Sequence, residues 1–347
     1  MFPDMGRVQL SVVKKTRPSI GFDALFLEHP MTGMGQYATR LWQELLRRED
    51  LDARLLRPAD APEGVLRLGA GRDVAAASPA NRRLPGKVRK VWWEQKGLVA
   101  AARQANVDLV HVPYFAAPLR KPERLVVTIH DAIPLALREY AGGLPNRSYL
   151  RVLARAARSA DLILTDSRHA AGDISRLLGI PSEKIVPVLL AAGEEFTPAA
   201  PEDTDRIASM RSRLGLDRPF ILNVGGFDRR KNLPALVEGF AGAVNRLDTR
   251  YDLVIVGSAH SSSSLFTDVR PIIRRHGLEA FVKLPGFVSE QDKLDLYRSA
   301  SAFVFPSVYE GFGLNPLEAM ACGTPTISSN RSSLPEVVGD GGILIDP

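Results

Sequence analysis

The sequence predicts an α/β protein of two domains, each a parallel sheet covered by helices. Three observations predict it. Apolar runs of strand length alternate with amphipathic segments from near the start of the chain to its end, the pattern left by parallel sheets with covering helices. At 347 residues the chain exceeds what one compact core usually holds. The stretch Ala191–Asp217 breaks the alternation with Pro198, Pro201, several acids and little apolar patterning before Ile207, and reads as a hinge.

The elements follow in order. The first eighteen residues precede any convincing strand and read as a peripheral extension. Runs rich in Val, Ile, Leu and Phe predict strands at Ile20–Leu27, Leu109–Val112, Leu125–Ile129, Leu162–Thr165 and Ile185–Leu189. Amphipathic segments between them predict helices at Gln36–Arg48, Val91–Gln104, Leu150–Ala160 and His169–Leu178. The segment Pro58–Pro85, rich in Gly, Pro and Ala, follows neither period and reads as a long excursion. Past the hinge, strands are expected at Phe220–Val224, Leu253–Val256, Phe281–Leu284, Ala302–Phe305, Thr326–Ser328 and Gly342–Ile345. Helices are expected at Leu233–Asn245, Val269–His276 and Glu290–Ala300. The predicted domains are therefore 1–192, a linker 193–217, and 218–347.

Composition narrows the class. Hydrophobic content of 45% and charged content of 24% are ordinary for a globular protein. No apolar run reaches the roughly 18 residues that span a bilayer, and the N-terminus lacks an apolar stretch followed by a cleavage site, so the chain is expected in the cytosol. The single cysteine, Cys322, excludes an intrachain disulfide and reads as a small core residue. The formal charge of +6 is unevenly placed. Lys14-Lys15, Arg47-Arg48, Arg82-Arg83 and Lys87-Val88-Arg89-Lys90 beside Trp92-Trp93 lie early, and Arg147, Arg151, Arg155 and Arg158 share one predicted helix. Two readings stand: contact with anionic lipid headgroups or a diphosphate-bearing acceptor, or solvated helix faces. No nucleic-acid motif accompanies the charge, and nucleic acid is not expected as a partner.

The densest motif is Tyr309-Glu310-Gly311-Phe312-Gly313-Leu314-Asn315-Pro316-Leu317-Glu318, directly after the strand Ala302–Phe305. Glu310 falls on a strand-to-helix loop at the carboxyl edge of the sheet, where open parallel sheets bind ligands. Asn315-Pro316 reads as a helix cap with proline at the first helical position. Asn315 and Glu318 also have the spacing of a capping box, so Glu318 reads equally as structural or functional. Gly225-Gly226 ends another strand and leads to Arg230 and Lys231, a glycine loop and cation pair suited to a diphosphate, with a helix start adding its pull on anions. Gly33-Met34-Gly35 opens the first helix and offers its own N–H groups. It also matches a dinucleotide fingerprint, but Glu28–Thr32 intervene after the strand and Leu55-Leu56-Arg57 offers no acid for a ribose. His130-Asp131 follows the strand Leu125–Ile129; by itself it reads equally as a site histidine or as a buried one with a turn aspartate. Asp50-Leu51-Asp52 and Asp203-Thr204-Asp205 match a D-x-D metal pattern, but one lies at a helix end and the other in the hinge, and no metal requirement is predicted.

Together these segments resemble the family-4 retaining glycosyltransferases, whose E-x7-E signature matches Glu310 and Glu318. The likeness runs from about Ile20 to Pro347 and includes Thr32–Tyr37, Thr128–Asp131, Gly225–Asn232 and Ser332–Val337 in the family's order. It implies the GT-B fold, two Rossmann-like doubly wound domains facing across a cleft. It implies catalytic roles for His130, Glu310, Arg230 and Lys231, with His130 touching the donor sugar and Glu310 its hydroxyls. Gly33, Gly35, Gly225, Gly226, Gly311, Phe312, Gly313 and Leu314 would surround the donor, Glu318 would hold the nucleotide ribose, and Asn330–Glu336 would offer serine hydroxyls to the diphosphate or bond its own backbone. Many relatives carry an arginine directly after the first glycine of the 225 loop; here that place is Gly226, and Arg230 would compensate. Relatives usually continue past Leu344–Pro347 with helices returning to the first domain, which this sequence lacks.

The resemblance implies transfer of a hexose, best read as mannose from GDP-mannose, to a polysaccharide or lipid-linked glycan at the inner membrane face. UDP- and dTDP-sugars stand as alternatives. So do an NAD(P)-dependent oxidoreductase on the same architecture and a non-catalytic nucleotide-sugar binding subunit.

Overall fold

The computed structural model describes residues 17–30, 32–69, 72–76, 86–122, 124–246, 248–257 and 265–347. The expectations for the N-terminal extension with Lys14-Lys15, for Arg82-Arg83 and for the last part of the Pro58–Pro85 excursion lie outside the described residues. The chain divides into two compact units. One holds the described residues up to Val127 together with Ser159–Asp161; the other holds Thr128–Arg158 and Leu162–Pro347.

The first unit is built on β1 (Ser19–Asp23), β2 (Asp52–Pro58), β3 (Asp73–Ala76), β4 (Leu109–Val112) and β5 (Leu125–Thr128). The pairs β1–β2, β2–β3, β1–β4 and β4–β5 are parallel. β1 stops at Asp23, short of the expected Leu27, because the buried Asp23 carboxylate accepts from the Leu25 N–H (3.0 Å) and turns the chain into a 3-10 helix, Leu25–Glu28. Phe22, Trp42, Leu55 and Val65 form the core beneath it, and the Trp42 indole N–H donates to Leu68 O at 2.7 Å.

The helix Glu63–Gly69 and β3 occupy part of the Pro58–Pro85 segment that reads as patternless, and β2, a strand not expected from the sequence, ends where that segment begins. The charges that hide β2 in sequence are neutralised, Arg54 by Asp52 two residues earlier on the same strand (2.8 Å) and Arg57 by Asp73 on β3 (2.6 Å). The helix expected from Val91 starts at Gly86 and passes through a five-residue π turn, Trp93–Gly97, before ending at Ala105. A Cβ on Gly97 would lie 2.5 Å from the Trp93 ring, so glycine is what lets the buried indole fold back and donate to Asp23 at 2.9 Å.

The second unit contains β6 (Leu162–Thr165) parallel to β7 (Ile185–Pro187). Its own sheet comprises β8 (Phe220–Val224), β9 (Asp252–Val256), β10 (Val282–Gly286), β11 (Ala302–Phe305), β12 (Thr326–Ser329) and β13 (Ile343–Ile345). The order is β10-β9-β8-β11-β12-β13, all parallel. This is the doubly wound order in which the strand sequence reverses between β8 and β11, and the crevice at that reversal is where such sheets bind ligands.

Phe220, Val254, Tyr297, Phe303 and Phe305 fill one face; Phe227, Leu233, Val237, Phe240 and Ile255 fill the other. Cys322 packs in the first of these cores, where burial raises its thiol to about 11. Within the stretch that reads as a hinge, Thr204–Arg213 form a helix that places Met210 in the same core and ties Arg206 to Asp295 by two bonds of 2.8 Å. The helix Leu144–Ala157 begins six residues before the expected Leu150, with Pro145 in its first turn, a position where a missing N–H costs nothing.

Candidate functional site

The two strands flanking the reversal each deliver part of one cluster. β8 ends at Val224 and passes into Gly225-Gly226; the chain then makes a 3-10 turn, Arg229–Lys231, capped by Asp228, whose carboxylate accepts from the Arg230 N–H at 3.0 Å. β11 ends at Phe305 and delivers Ser307 and Glu310. Glu310 Oε1 accepts from Lys231 Nζ and from Ser307 Oγ, both at 2.7 Å, and Oε2 accepts from Arg230 Nη1 at 2.5 Å. Arg230 also donates to Tyr309 O at 3.1 Å, and Lys231 Nζ stands 4.5 Å from the centre of the Phe305 ring. Two cations therefore meet one carboxylate in a nearly dry pocket. Burial pushes Glu310 up, but Lys231 and Arg230 outweigh it and bring it down to about 2. Burial lowers Lys231 from the ordinary lysine value, with Glu310 opposing that shift.

The glycines differ in what they do. Gly225 has φ +150° and Gly257 φ +144°, and a Cβ on Gly257 would stand 2.0 Å from Gly225 O. Gly257, at the end of β9, is thus what permits the Gly225-Gly226 loop to lie where it does. A Cβ on Gly226 would meet nothing within 4 Å, leaving that backbone open to approach. A Cβ on Gly311 would stand 2.6 Å from His130 O and 2.7 Å from Asp131 Cβ, so the Glu310 loop and the His130 turn touch through backbone. In the first unit, the helix Gly33–Arg47 is capped by Thr32, whose hydroxyl accepts from the Gly35 N–H at 3.1 Å. A Cβ on Gly35 would collide with His29 O, whereas Gly33 faces open space.

The helix after the motif runs Leu314–Ala321 with Gly313 (φ +126°) at its start and no side-chain cap. This corrects the expected cap at Asn315: Asn315 lies inside the first turn and its amide meets Tyr297 OH at 3.4 Å. The capping box does not form either. Glu318 accepts from Tyr297 OH at 3.0 Å and lies 3.5 Å from Lys293 Nζ, with burial raising its carboxyl. Phe312 is buried, and its carbonyl, like that of Glu310, accepts from Ser333 Oγ (2.5 and 3.0 Å). Ser332 Oγ accepts from the Glu310 N–H at 2.8 Å. The loop serines thus hold the backbone of the Glu310–Phe312 segment rather than that of their own loop.

Several contacts at the site were not foreseen, most of their residues lying outside the sequence motifs. Asp166 and Ser167, directly after β6, reach His130 and Gly311: His130 Nδ1 lies 2.7 Å from Asp166 Oδ2, and Ser167 Oγ donates to Gly311 O at 2.6 Å. Tyr140 OH bonds Asp228, Tyr309 OH bonds Asp173, and the Glu336 carboxylate accepts from the Arg168 and His169 N–H groups at 3.1 Å each. Their position at the carboxyl edge of a predicted strand was the available signal for Asp166, Ser167 and Gly257; Asp228, Tyr309 and Glu336 lie within sequence motifs, but their long-range pairings carried no signal.

The basic clusters separate into two kinds. Arg89 is held by Glu28 (3.0 Å) and Asp60 (2.9 Å), Lys90 lies over the Phe26 and Tyr114 rings, and Trp93 is fully buried. Arg147, Arg151 and Arg155 are exposed on a helix, Leu144–Ala157, that contains no acid and begins with the exposed Leu144. Asp50 pairs with Arg48 and Asp203 with Arg206 and Arg298.

Residues 31–189 match the model of Glycosyltransferase Family 4 and residues 206–347 that of Glycosyl transferases group 1. The chain is 31% identical over 330 residues to O-antigen chain mannosyltransferase B of Escherichia coli, covering 92% of this chain and 84% of that protein. It is 34% identical over 229 residues to the serotype-specific mannosyltransferase WbdA of the same species, 65% of this chain and 28% of the relative's length. Among solved structures, sucrose-phosphate synthase from Thermosynechococcus elongatus (TM-score 0.66, 19% identity, 95% of this chain and 86% of that one) shares the fold. So does WaaG, a glycosyltransferase involved in lipopolysaccharide biosynthesis (TM-score 0.65, 14% identity, 94% and 86%).

Proposed function

The chain belongs to the family-4 glycosyltransferases and is a glycosyltransferase of the GT-B fold, and from that premise we propose that it transfers mannose from GDP-mannose, with retention, to a growing polysaccharide or lipid-linked glycan. The observation that carries the reading is the Arg230–Lys231–Glu310 cluster at the strand reversal. The choice of mannose rests on the 31% identity to a mannosyltransferase over 92% of the chain.

Sugar transfer from a nucleotide builds positive charge at the anomeric carbon and negative charge on the departing diphosphate, and both must be stabilised. Arg230 and Lys231 take the diphosphate, helped by the open backbone at Gly226 and the uncapped helix start at Gly313-Leu314. These cations supply the charge, so no metal is assigned to the step. As the diphosphate engages Arg230 and Lys231, the Glu310 carboxylate is released to the sugar hydroxyls. Glu318 holds the ribose and His130 faces the sugar. The acceptor hydroxyl attacks on the face from which the diphosphate leaves. We assign contact with anionic lipid at the inner membrane face to the acid-free helix Leu144–Ala157.

The test is donor binding and turnover. GDP at a hundredfold excess over its Kd should add about 2.7 kcal/mol of stability, visible as a raised Tm, and Lys231→Ala should abolish the rise. GDP-mannose should be turned over in the presence of EDTA. Stabilisation by UDP or dTDP alone overturns the donor; stabilisation by NAD(P) alone overturns the site.

A further inference from the structure

Tyr140 belongs to none of the sequence motifs, yet it reaches the cation cluster. It sits on a 3-10 turn, Arg138–Ala141, closed by Gly142 at φ +66°, an angle that favours glycine. The start of the following helix ties this turn down: Asn146 Nδ2 donates to Ala141 O at 2.8 Å and Arg147 Nε to Gly142 O at 3.2 Å. From that fixed position the Tyr140 hydroxyl donates to Asp228 Oδ1 and accepts from the Arg230 N–H at 3.3 Å. Burial and the Asp228 carboxylate raise the phenol to about 12, so it stays a hydrogen-bond donor throughout the neutral range.

Three donors compete for one oxygen of Asp228. Its Oδ1 accepts from Tyr140 and, at 3.0 Å, from the Arg230 N–H, while Arg230 Nε stands 3.5 Å from the same atom. A carboxylate oxygen offers about two lone pairs, and the phenol and the backbone N–H take them. The guanidinium is left at a distance of charge attraction rather than of a good hydrogen bond, and its Nη1 bonds Glu310 Oε2 at 2.5 Å and Tyr309 O at 3.1 Å instead. Without the phenol, Asp228 would turn its released lone pair on the nearest cation, because a charge-assisted pair is the stronger bond. Arg230 would then swing from Glu310 towards Asp228. We propose that Tyr140 is a positioning residue for the transfer: by occupying Asp228 it keeps the Arg230 guanidinium on the Glu310 side, where it meets the diphosphate of the donor. The inference rests on the diphosphate role given to Arg230 above. It makes Asp228 a restrained competitor for that cation, and so predicts that neutralising the competitor offsets the loss of its restraint.

The test is GDP binding, by isothermal titration calorimetry, to the parent chain, Tyr140→Phe, Asp228→Asn, the two combined, and Arg230→Ala. UDP takes the place of GDP if UDP alone stabilises the parent, since the diphosphate is common to both. Tyr140→Phe removes one hydroxyl and should raise Kd roughly 10-fold, the size of one hydrogen bond to a charged group. Asp228→Asn should weaken binding less than Tyr140→Phe does, because an amide oxygen still caps the turn but exerts no net charge on Arg230. The combination decides: it should bind more tightly than Tyr140→Phe alone. If the hydroxyl merely braced the loop, removing the second partner would leave affinity as low or lower, and that outcome overturns the positioning role. If Arg230→Ala is weakened and Tyr140→Phe binds like the parent, the positioning role fails and the diphosphate site stands. If Arg230→Ala binds like the parent, or neither nucleotide binds the parent, both fail. Should Tyr140→Phe not fold, Asp228→Asn decides alone: a loss well short of that in Arg230→Ala supports the restrained competitor, and a loss as large overturns it.

Discussion

Replacing Glu310 with glutamine tests whether the cation cluster is held by charge. At an effective dielectric of about 20, unit charges at the 2.7 Å separation of Lys231 and Glu310 attract by about 6 kcal/mol. Burying the two ions costs several kcal/mol in return. The net can be read from the carboxyl itself: a pKa brought from 4.5 to about 2 on folding contributes about 3 kcal/mol at neutral pH, at roughly 1.4 kcal/mol per tenfold. For a domain of 150–250 residues this corresponds to a fall in Tm of roughly 6–12 °C.

The pH dependence has a definite sign. Glu310 is depressed in the folded state, so its contribution is complete above pH 4.5 and is lost as pH falls towards about 2. Differential scanning calorimetry should show a parent-to-variant gap that is flat from neutral pH to about 5 and narrows below 4.5. The double variant Glu310→Gln/Lys231→Met should recover part of the loss, because the lone variant leaves a buried ammonium without its carboxylate. A Tm within about 2 °C of the parent for Glu310→Gln, or strictly additive losses in the double variant, would refute the charge-pair account.

Three further outcomes follow from the geometry. Gly257→Ala puts a Cβ against Gly225 O at a backbone angle reserved for glycine; it should cost about 1–3 kcal/mol in urea titrations and weaken GDP binding in calorimetry, although residue 257 touches no ligand in this scheme. Asn315→Ala should cost well under the ~1 kcal/mol of a lost helix cap, measured by the same titration, because Asn315 caps nothing. Arg151→Glu with Arg155→Glu should abolish sedimentation with phosphatidylglycerol vesicles at low salt while leaving GDP binding unchanged; retention on those vesicles would remove the helix Leu144–Ala157 as the lipid-facing surface.

What the sequence revealed and what it hid divide along one line. β4, β6, β8 and β11 fall where their apolar runs place them because they are buried or partly buried along their length, which leaves runs rich in Val, Ile, Leu and Phe. β2 was hidden because Arg54 and Arg57 interrupt it; Asp52 pairs with Arg54 from two residues away on the same strand, but Asp73, which neutralises Arg57, becomes visible only once β2 and β3 are paired. Within the site, Glu310, Arg230 and Lys231 stood out as residue types at strand ends. Their convergence did not: the bonds joining them span 79 and 80 residues and depend on β8 lying beside β11, a property of sheet order. The Asn315 cap was misread for the opposite reason. A local motif was present, but Gly313 begins the helix one residue before Leu314, which moves Asn315 into the first turn.

The serines show how such partners matter beyond bookkeeping. Ser167, Ser307, Ser332 and Ser333 each bond the segment Glu310–Phe312, three of them through its backbone and Ser307 through the carboxylate. These bonds leave the Glu310 loop fixed before any charge develops, and preorganised dipoles do not have to reorient during reaction. Serines that met the diphosphate directly would affect donor affinity one by one when replaced. Serines that hold the loop should act together, because each removes part of the same support. Ser332→Ala and Ser333→Ala should therefore lower kcat non-additively while GDP affinity changes little. Independent, additive losses of GDP affinity in those two variants would return the hydroxyls to the phosphates.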